Sequence, residues 1–527
     1  MSIFNKNKAI SPIIATVLLI AVAVILVTII LSWSRNYTNV SLNKTQDFGK
    51  LKVSDADSFV YPKSYSEGTM QFIYSPPESI KSEEIIITHY QILELPEVEP
   101  IPLAEPYNLR ESTNILPLNC LYEYSLSSPD FTIQLITDKN TYITIKQRDP
   151  NMVCTSSGAG TEEDPKVICN AEELDDIRIV YLKYGSNLNL HYVLGKNIDL
   201  YCFSRQTEEG WEPIGTDYGA NGFNGSFDGQ NHTISNLYIN KDDDHIGLFG
   251  FVAHNELKTI EIKNLILKDT NITGNQYVGS ITGNFSMLAV ISNVHSSGTI
   301  NGGSYLGGLI GENIYGGLNN IGGDLNFSSF TGQINASGDY VGGLIGNNLG
   351  TIENSNSNII INADGNYVGG IAGLNSGYIR KVYSKGSITS FGDYVGGVIG
   401  KNAKEIYDSY SLSGVSGNNY VGGLVGQNFK PMLFEAGGKI YNSYSAGLVI
   451  GNSNAGGLVG LNTNALISLS VYDTNTSEQS DTGKGEPKTT TEMKTQSTFE
   501  DWDFSSIWAM AASTNSGYPY LINNPPN

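Results

Sequence analysis

The block Tyr-Val-Gly-Gly-[Leu/Ile/Val]-x-Gly returns again and again through the second half of the chain, and no other feature limits the fold as much. Copies begin at Tyr277 (YVGSITG), Tyr305 (YLGGLIG), Tyr340, Tyr367, Tyr394 and Tyr420, with a degraded copy at Asn454 (NAGGLVG) and an earlier relative at His245 (HIGLFG). From Tyr340 the starts are separated by 27, 27 and 26 residues. A fixed period of this length means a stack of equivalent structural units, each unable to bury its apolar face alone. The units starting at Tyr305 and Tyr420 are longer. Their extra residues, near Tyr315–Gly323 and Lys430–Gly438, are Gly-rich or irregular and read as loop insertions on a constant frame.

Within each unit a second element follows at fixed distance: Ile352–Ser357, Ile379–Ser384, Ile406–Ser411 and Ile440–Ser445. A third apolar position recurs at Ile361, Ile388 and Val415. One unit therefore predicts three short strands joined by Gly, Asn and Asp corners, which closes one coil of a β-helix. Coils stacked about 4.8 Å apart place Leu344, Ile371, Val398, Leu424 and Leu458 in an internal ladder. The paired glycines of the block let the opposite wall approach closely.

Composition agrees with an all-β chain. With 58 glycines, 31 tyrosines and only 16% charged residues, short strands and tight turns are favoured over long salt-bridged helices. A net charge of -21 without a basic stripe excludes nucleic acid as a partner, because that binding depends on clustered Lys and Arg. The acidity instead keeps an exposed protein soluble.

From Ile13 to Trp33 the chain is almost wholly apolar, long enough to cross a bilayer core and too long for an ordinary cleaved signal peptide. Lys6 and Lys8 before it and Arg35 after it place the short N-terminus inside and the remainder outside the cell. The preceding residues, Lys8-Ala9-Ile10-Ser11-Pro12-Ile13-Ile14, resemble the N-terminus of archaeal type IV pilin-like proteins. That resemblance implies a cut between Ala9 and Ile10, and a hydrophobic helix at 10–33 that either packs with other pilin-like subunits or holds one chain in the membrane. The alternative is an uncleaved signal anchor.

Residues 34–51 read as an exposed stalk with three N-x-[ST] sequons, at Asn36, Asn39 and Asn43. Further sequons at Asn224, Asn231, Asn271, Asn284, Asn326, Asn335 and Asn475 are expected from an Asn-rich chain. Residues 52–155 carry alternating β-branched runs and predict a small β-sandwich. The N-terminal cap and first coils occupy 156–244, the repeats 245–478, and a C-terminal cap 479–527. Asn170 with Glu173 forms a capping-box pattern, and Leu174, Ile177, Tyr181 and Tyr184 follow at helical spacing, so a short helix should cover the first coil. Trp502, Phe504 and Trp508 are expected in the opposite cap. Cys120, Cys154, Cys169 and Cys202 lack zinc-ligand spacing; they form disulfides in one of three connectivities or remain free thiols.

The repeats and their flanks resemble the GLUG-repeat family, through Gly343-Leu344-Ile345-Gly346 and Gly423-Leu424-Val425-Gly426. The resemblance extends upstream through Trp211-Glu-Pro-Ile-Gly215 and Gly225-Ser-Phe-Asp-Gly-Gln-Asn-His-Thr-Ile234, and downstream to Tyr518-Pro-Tyr-Leu521. It implies a secreted or surface-bound, adhesin-like β-helix whose repeat carries no catalytic residue.

Polysaccharide-processing β-helices need paired carboxylates, or a metal cluster with a base, on one face. The recurring acids Asp339, Asp364 and Asp393 sit beside Gly at a corner, where turn geometry alone favours Asp. Arg380, Lys381 and Asp408 form no recurring set, and the six histidines lack ligand spacing. No cofactor or metal site is expected. The column Tyr340, Tyr367, Tyr394 and Tyr420, with Tyr383, Tyr410 and Tyr444, is either a stabilising stack or an exposed strip for sugar rings or a partner surface. The expectation is a non-enzymatic adhesin or pilin-like subunit binding a cell-surface glycan or protein. The alternatives are a surface polysaccharide-processing enzyme and a purely structural envelope protein.

Overall fold

The computed structural model describes residues 154–526, short interior segments excepted, together with the backbones of seven strands between residues 60 and 148. The 13–33 span, the Ala9–Ile10 junction, the sequons at Asn36, Asn39 and Asn43, and Cys120 and Cys202 lie outside the described residues. Among the described residues no helix is long and apolar enough to cross a membrane. The seven early strands form two antiparallel sheets. One holds Val60–Ser66, Thr69–Tyr74 and Ile115–Pro117, and the other Ile101–Asn108, Ile86–Ile92, Asp130–Thr137 and Tyr142–Arg148.

From Lys166 onward the chain winds as a parallel β-solenoid. A representative coil runs through Val341–Gly342, Ile345–Asn348, Thr351–Glu353 and Asn356–Ala363. That is four strand segments where the sequence predicts three, because the repeat block itself turns a corner at its paired glycines. A Cβ on Gly343 would lie 1.9 Å from the carbonyl oxygen of Gly370 on the next coil and 3.0 Å from Ser357 Oγ on the opposing wall. Only glycine fits that corner.

Three apolar ladders fill the bore, in the register the period implies. Ile272, Ile300, Ile334, Ile361, Ile388 and Val415 are successive partners. So are Leu325, Ile352, Ile379, Ile406 and Ile440. Leu344, Ile371, Val398, Leu424 and Leu458 form the third, each passing a backbone bond to the next. None of these residues is more than 2% exposed, and burial of each such side chain is worth about 1.5–3 kcal/mol. Both insertions leave the frame intact: Ile310 pairs with Ile345 before the first and Leu325 with Ile352 after it, while Asn402 pairs with Asn428 and Ile406 with Ile440 around the second.

A fourth ladder is polar and fully buried. Asn348, Asn375 and Asn402 donate from Nδ2 to Asn375, Asn402 and Asn428 Oδ1 on the following coil at 2.8, 2.8 and 2.9 Å. Each also donates to the carbonyl two residues ahead, at 3.1, 3.0 and 2.9 Å. The corner carbonyls thereby gain a second donor inside the bore, since those of Gly350 and Lys404 also accept from Tyr378 N and Lys439 N on the next coil.

At the N-terminal end the helix Ala171–Tyr184 lies over the first coil. Asn170 Oδ1 accepts from Glu173 N at 2.9 Å, and Glu173 reaches back to Cys169 N at 2.7 Å. Leu174, Ile177 and Tyr181 are at most 1% exposed, whereas Tyr184 is 60% exposed and lies off the packed face. A disulfide joins Cys154 to Cys169 and ties the entering chain to this cap.

The C-terminal cap differs from expectation. The last coil is closed by the segment after Glu478: Asp481 accepts from Gly457 N at 2.9 Å, and Lys484 donates to the Gly460 carbonyl at 2.9 Å. Trp502, Phe504 and Trp508 belong instead to a strap that runs back along the outside of the solenoid. Tyr383, Tyr410 and Tyr444 form an apolar column there, outside the bore, and the strap buries it with Phe499, Trp502, Trp508 and Tyr518. Tyr444 Oη donates to the Pro519 carbonyl at 2.6 Å, and Asn524 Nδ2 donates to the carbonyls of Ser355 and Lys381 at 3.0 and 3.1 Å.

Candidate functional site

The Tyr that opens each repeat occupies a left-handed corner. His245, Tyr277, Tyr305, Tyr340, Tyr367, Tyr394 and Tyr420 all have φ between 56° and 63°. Such a conformation costs a bulky residue about 1–3 kcal/mol, and the compensation lies in the stack. Successive ring centroids from His245 to Tyr420 are 4.9, 4.8, 4.7, 4.9, 5.1 and 4.9 Å apart, with planes within 19° of parallel. The corner is held from the turn before it. Asp339 Oδ1 accepts from the backbone N of Asn366 at 2.6 Å, and Asp393 Oδ1 from that of Asn419 at 3.1 Å. These acids bond the next coil's turn, as corner residues do.

The candidate strip Tyr340, Tyr367, Tyr394 and Tyr420 is thus one continuous, half-buried column. Each ring covers its neighbours' faces, so the column offers edges and hydroxyls at coil spacing rather than flat faces for stacking. Burial, reinforced by neighbouring rings and acids, pushes the hydroxyls of Tyr340, Tyr367 and Tyr394 above the usual tyrosine range, and they remain protonated donors. Tyr383, Tyr410 and Tyr444 stack equally closely but are sealed under the strap and present nothing.

Beside this half-buried column run Glu312, Asn347, Leu374, Lys401 and Gln427, successive partners on one wall. Glu312 accepts from Asn347 Nδ2 at 2.9 Å, and burial raises its carboxyl above the usual range. Lys401 Nζ lies 5.3, 5.2 and 4.6 Å from the ring centres of Tyr367, Tyr394 and Phe429, a cation held over aromatic rings.

Two further features escaped the sequence reading. The first is a cavity of about 520 Å³ near the N-terminal cap, where Ser226 Oγ and His191 Nδ1 are 2.6 Å apart beside Asp228 and Lys263. Ser226 and His191 are register partners on adjacent coils. The same partnership recurs at His295 and Ser329, 2.8 Å apart. The contact is therefore what the ladder produces whenever His and Ser share a column. The second is a groove of about 480 Å³ on another corner, with Asn362 on one wall and Phe391 at its lip. Its sequence signal is a break in the repeat: Ser337 and Asp364 precede Gly at this corner, and Phe391 replaces them.

Arg380, Lys381 and Asp408 do not form one cluster, although the Lys381 charge lies near enough to Asp408 to oppose the rise of its carboxyl. Lys381 pairs with Glu353 at 3.1 Å, Arg380 lies 5.4 Å from the Tyr378 ring centre, and Asp408 accepts from Trp508 Nε1 at 3.3 Å. Among the internal sequons, Asn224 and Asn284 are buried at 2% and 3% exposure, and neither side chain is open to modification.

No family profile matches the chain. It is 35% identical over 205 residues, 33% of its length, to a provisionally named Gly-rich membrane protein of Evansella cellulosilytica, and covers 22% of that protein. It is 31% identical over 174 residues, 32% of its length, to halomucin of Haloquadratum walsbyi, and covers 2% of it. The chain therefore spans less than a quarter of either relative. Among solved structures, a provisionally named immunoglobulin A1 protease of Bacteroides ovatus aligns with 69% of this chain and 94% of its own, at 21% identity and a TM-score of 0.39.

Proposed function

We propose that the chain is a cell-surface protein, held by its N-terminal hydrophobic helix, whose solenoid attaches to a surface or glycan without altering it. The observation that carries this reading is the tyrosine edge. Like groups recur at coil spacing over six successive tyrosines from Tyr277 to Tyr420. Repeated weak contacts along such an edge gain avidity that no single contact supplies. A membrane-named relative supports the location, and the acidic charge suits an exposed position. In this reading the GLUG-like repeats are the display surface, and the pilin-like leader is cut between Ala9 and Ile10.

Two measurements test it. The purified chain is applied to immobilised cell surfaces and glycans, and the bound material is analysed for products. Retention with unchanged ligand is expected, and release of shortened saccharides or cleaved peptides, abolished by a single Asp or Lys change, overturns the reading in favour of an enzyme. Intact-mass analysis of membrane-extracted chain should show Ile10 as the first residue; a chain retaining residues 1–9 leaves a plain signal anchor.

A further inference from the structure

We propose that the groove ending at Phe391 is a binding subsite for a neutral sugar polymer, an inference that rests on the attachment reading above and names its ligand class. The groove runs across four coils. One wall is a file of amides on registered positions: Asn335 Nδ2 donates to Asn301 Oδ1 at 2.8 Å, and Asn362 Nδ2 donates to Asn335 Oδ1 at 3.1 Å. The file stops at Asn362, because its partner on the next coil is Thr389. Asn362 Oδ1 therefore accepts no bond from any described residue, and Asn335 and Asn362 each keep a second N–H for an incoming hydroxyl, whereas Asn301 Nδ2 is engaged by the Ile272 carbonyl and Thr273 Oγ1 at 3.4 and 3.3 Å.

Phe391 stands at the end of this file with 79% of its surface exposed. Its backbone N donates to the Ala363 carbonyl at 3.0 Å, which fixes the corner while the ring remains in solvent. Among the described residues no ring stacks on it. A free aromatic face is what the tyrosine column lacks, since every ring there covers the next. An apolar face beside a row of amide donors and acceptors matches a pyranose, which has C–H groups on its faces and hydroxyls around its edge. Among the described residues lining the groove, Asp364 is the single ionisable side chain. One carboxylate accepts from neighbouring hydroxyls, and together with the net charge of -21 it opposes a polyanion. Coils spaced like strands let successive sugars meet successive amides.

The test uses the full-length chain, electrophoresed through gels containing a soluble neutral glucan, mannan or galactan, with dextran sulfate as the anionic comparison. Retardation by at least one neutral polymer and none by dextran sulfate is expected. Phe391→Ala should weaken that retardation about tenfold, Phe391→Trp should preserve it, and both variants should melt with the wild type because the ring is exposed. Retardation unaffected by Phe391→Ala but lost in Tyr367→Phe/Tyr394→Phe places the contact on the tyrosine edge and overturns the subsite, while the attachment reading survives. Absence of retardation by every neutral polymer also overturns the subsite. The attachment reading fails separately, when the chain is retained by no cell surface or glycan at all.

Discussion

Asn375 donates from Nδ2 to Asn402 Oδ1 at 2.8 Å although 27 residues separate them, and neither side chain is reached by solvent. The same amide accepts from Asn348 Nδ2 at 2.8 Å and from Gly377 N at 3.2 Å. Asn375→Ala orphans several buried groups at once, each worth about 1–3 kcal/mol. The expected loss is roughly 3 kcal/mol or more, read as a lower urea midpoint. A change within about 0.5 kcal/mol, the range of surface substitutions, would show that water replaces the ladder.

The bore and the insertions should respond oppositely. Ile379→Ala removes a fully buried rung between Ile352 and Ile406 and should cost about 2–5 kcal/mol. Ile379→Asp should disrupt several coils, because a charge is left unpaired in the stack. Shortening the loop between Lys430 and Gly438 should leave the melting profile nearly unchanged. Equal tolerance at both places would contradict the observed register.

Asp408 gives the strap a pH signature. Burial raises its carboxyl above the usual range, against the opposing pull of Trp508 and Asn442 donors. The unfolded chain therefore releases this proton first, near its ordinary value of about 3.9, and the folded state is penalised as pH rises from there through the raised value. Asp408→Asn keeps an acceptor for Trp508 Nε1 and removes the penalty. The variant should be more stable than wild type at neutral pH, with the difference vanishing below about pH 3.9. Chemical unfolding monitored by tryptophan fluorescence at several pH values checks the sign.

Hydroxyl and ring contributions at the tyrosine edge separate cleanly. Tyr367→Phe and Tyr394→Phe keep the stack and should shift stability by no more than about 0.5 kcal/mol. Surface attachment should fall further in the double variant than in either single one. Tyr367→Ala, by contrast, breaks two ring contacts of 4.9 and 5.1 Å, each worth about 0.5–1.5 kcal/mol beyond area, and should lower the melting temperature.

The bore was legible because a period is a property of the sequence itself. Leu344, Ile371, Val398, Leu424 and Leu458 repeat at coil spacing, so their ladder follows from counting. Asn348, Asn375 and Asn402 repeat with the same regularity, yet Asn in a Gly-rich repeat also suits an exposed turn, and sequence alone does not separate the two. The address of Trp508 was hidden for a different reason. Its partner Asp408 lies 100 residues earlier, outside any repeat relationship, and is fixed by where the strap travels. The pairing of Cys154 with Cys169 among three connectivities likewise depends on the path of the chain into the first coil. Phe391 was visible as a departure from Ser and Asp at its corner, but its significance depends on the groove that neighbouring coils build around it.

The strap also sets an order of events. Asn524 bonds the carbonyls of Ser355 and Lys381, laid down 169 and 143 residues before it. A chain that leaves the ribosome or crosses a membrane N-terminus first can wind its coils as they emerge, each on the one before. The column of Tyr383, Tyr410 and Tyr444 nevertheless stays open until the strap from Phe499 to Asn524 arrives and folds back across it. A chain interrupted before Phe499 would therefore carry a wound solenoid with an uncovered aromatic seam along Tyr383, Tyr410 and Tyr444, although most of its bore is already closed.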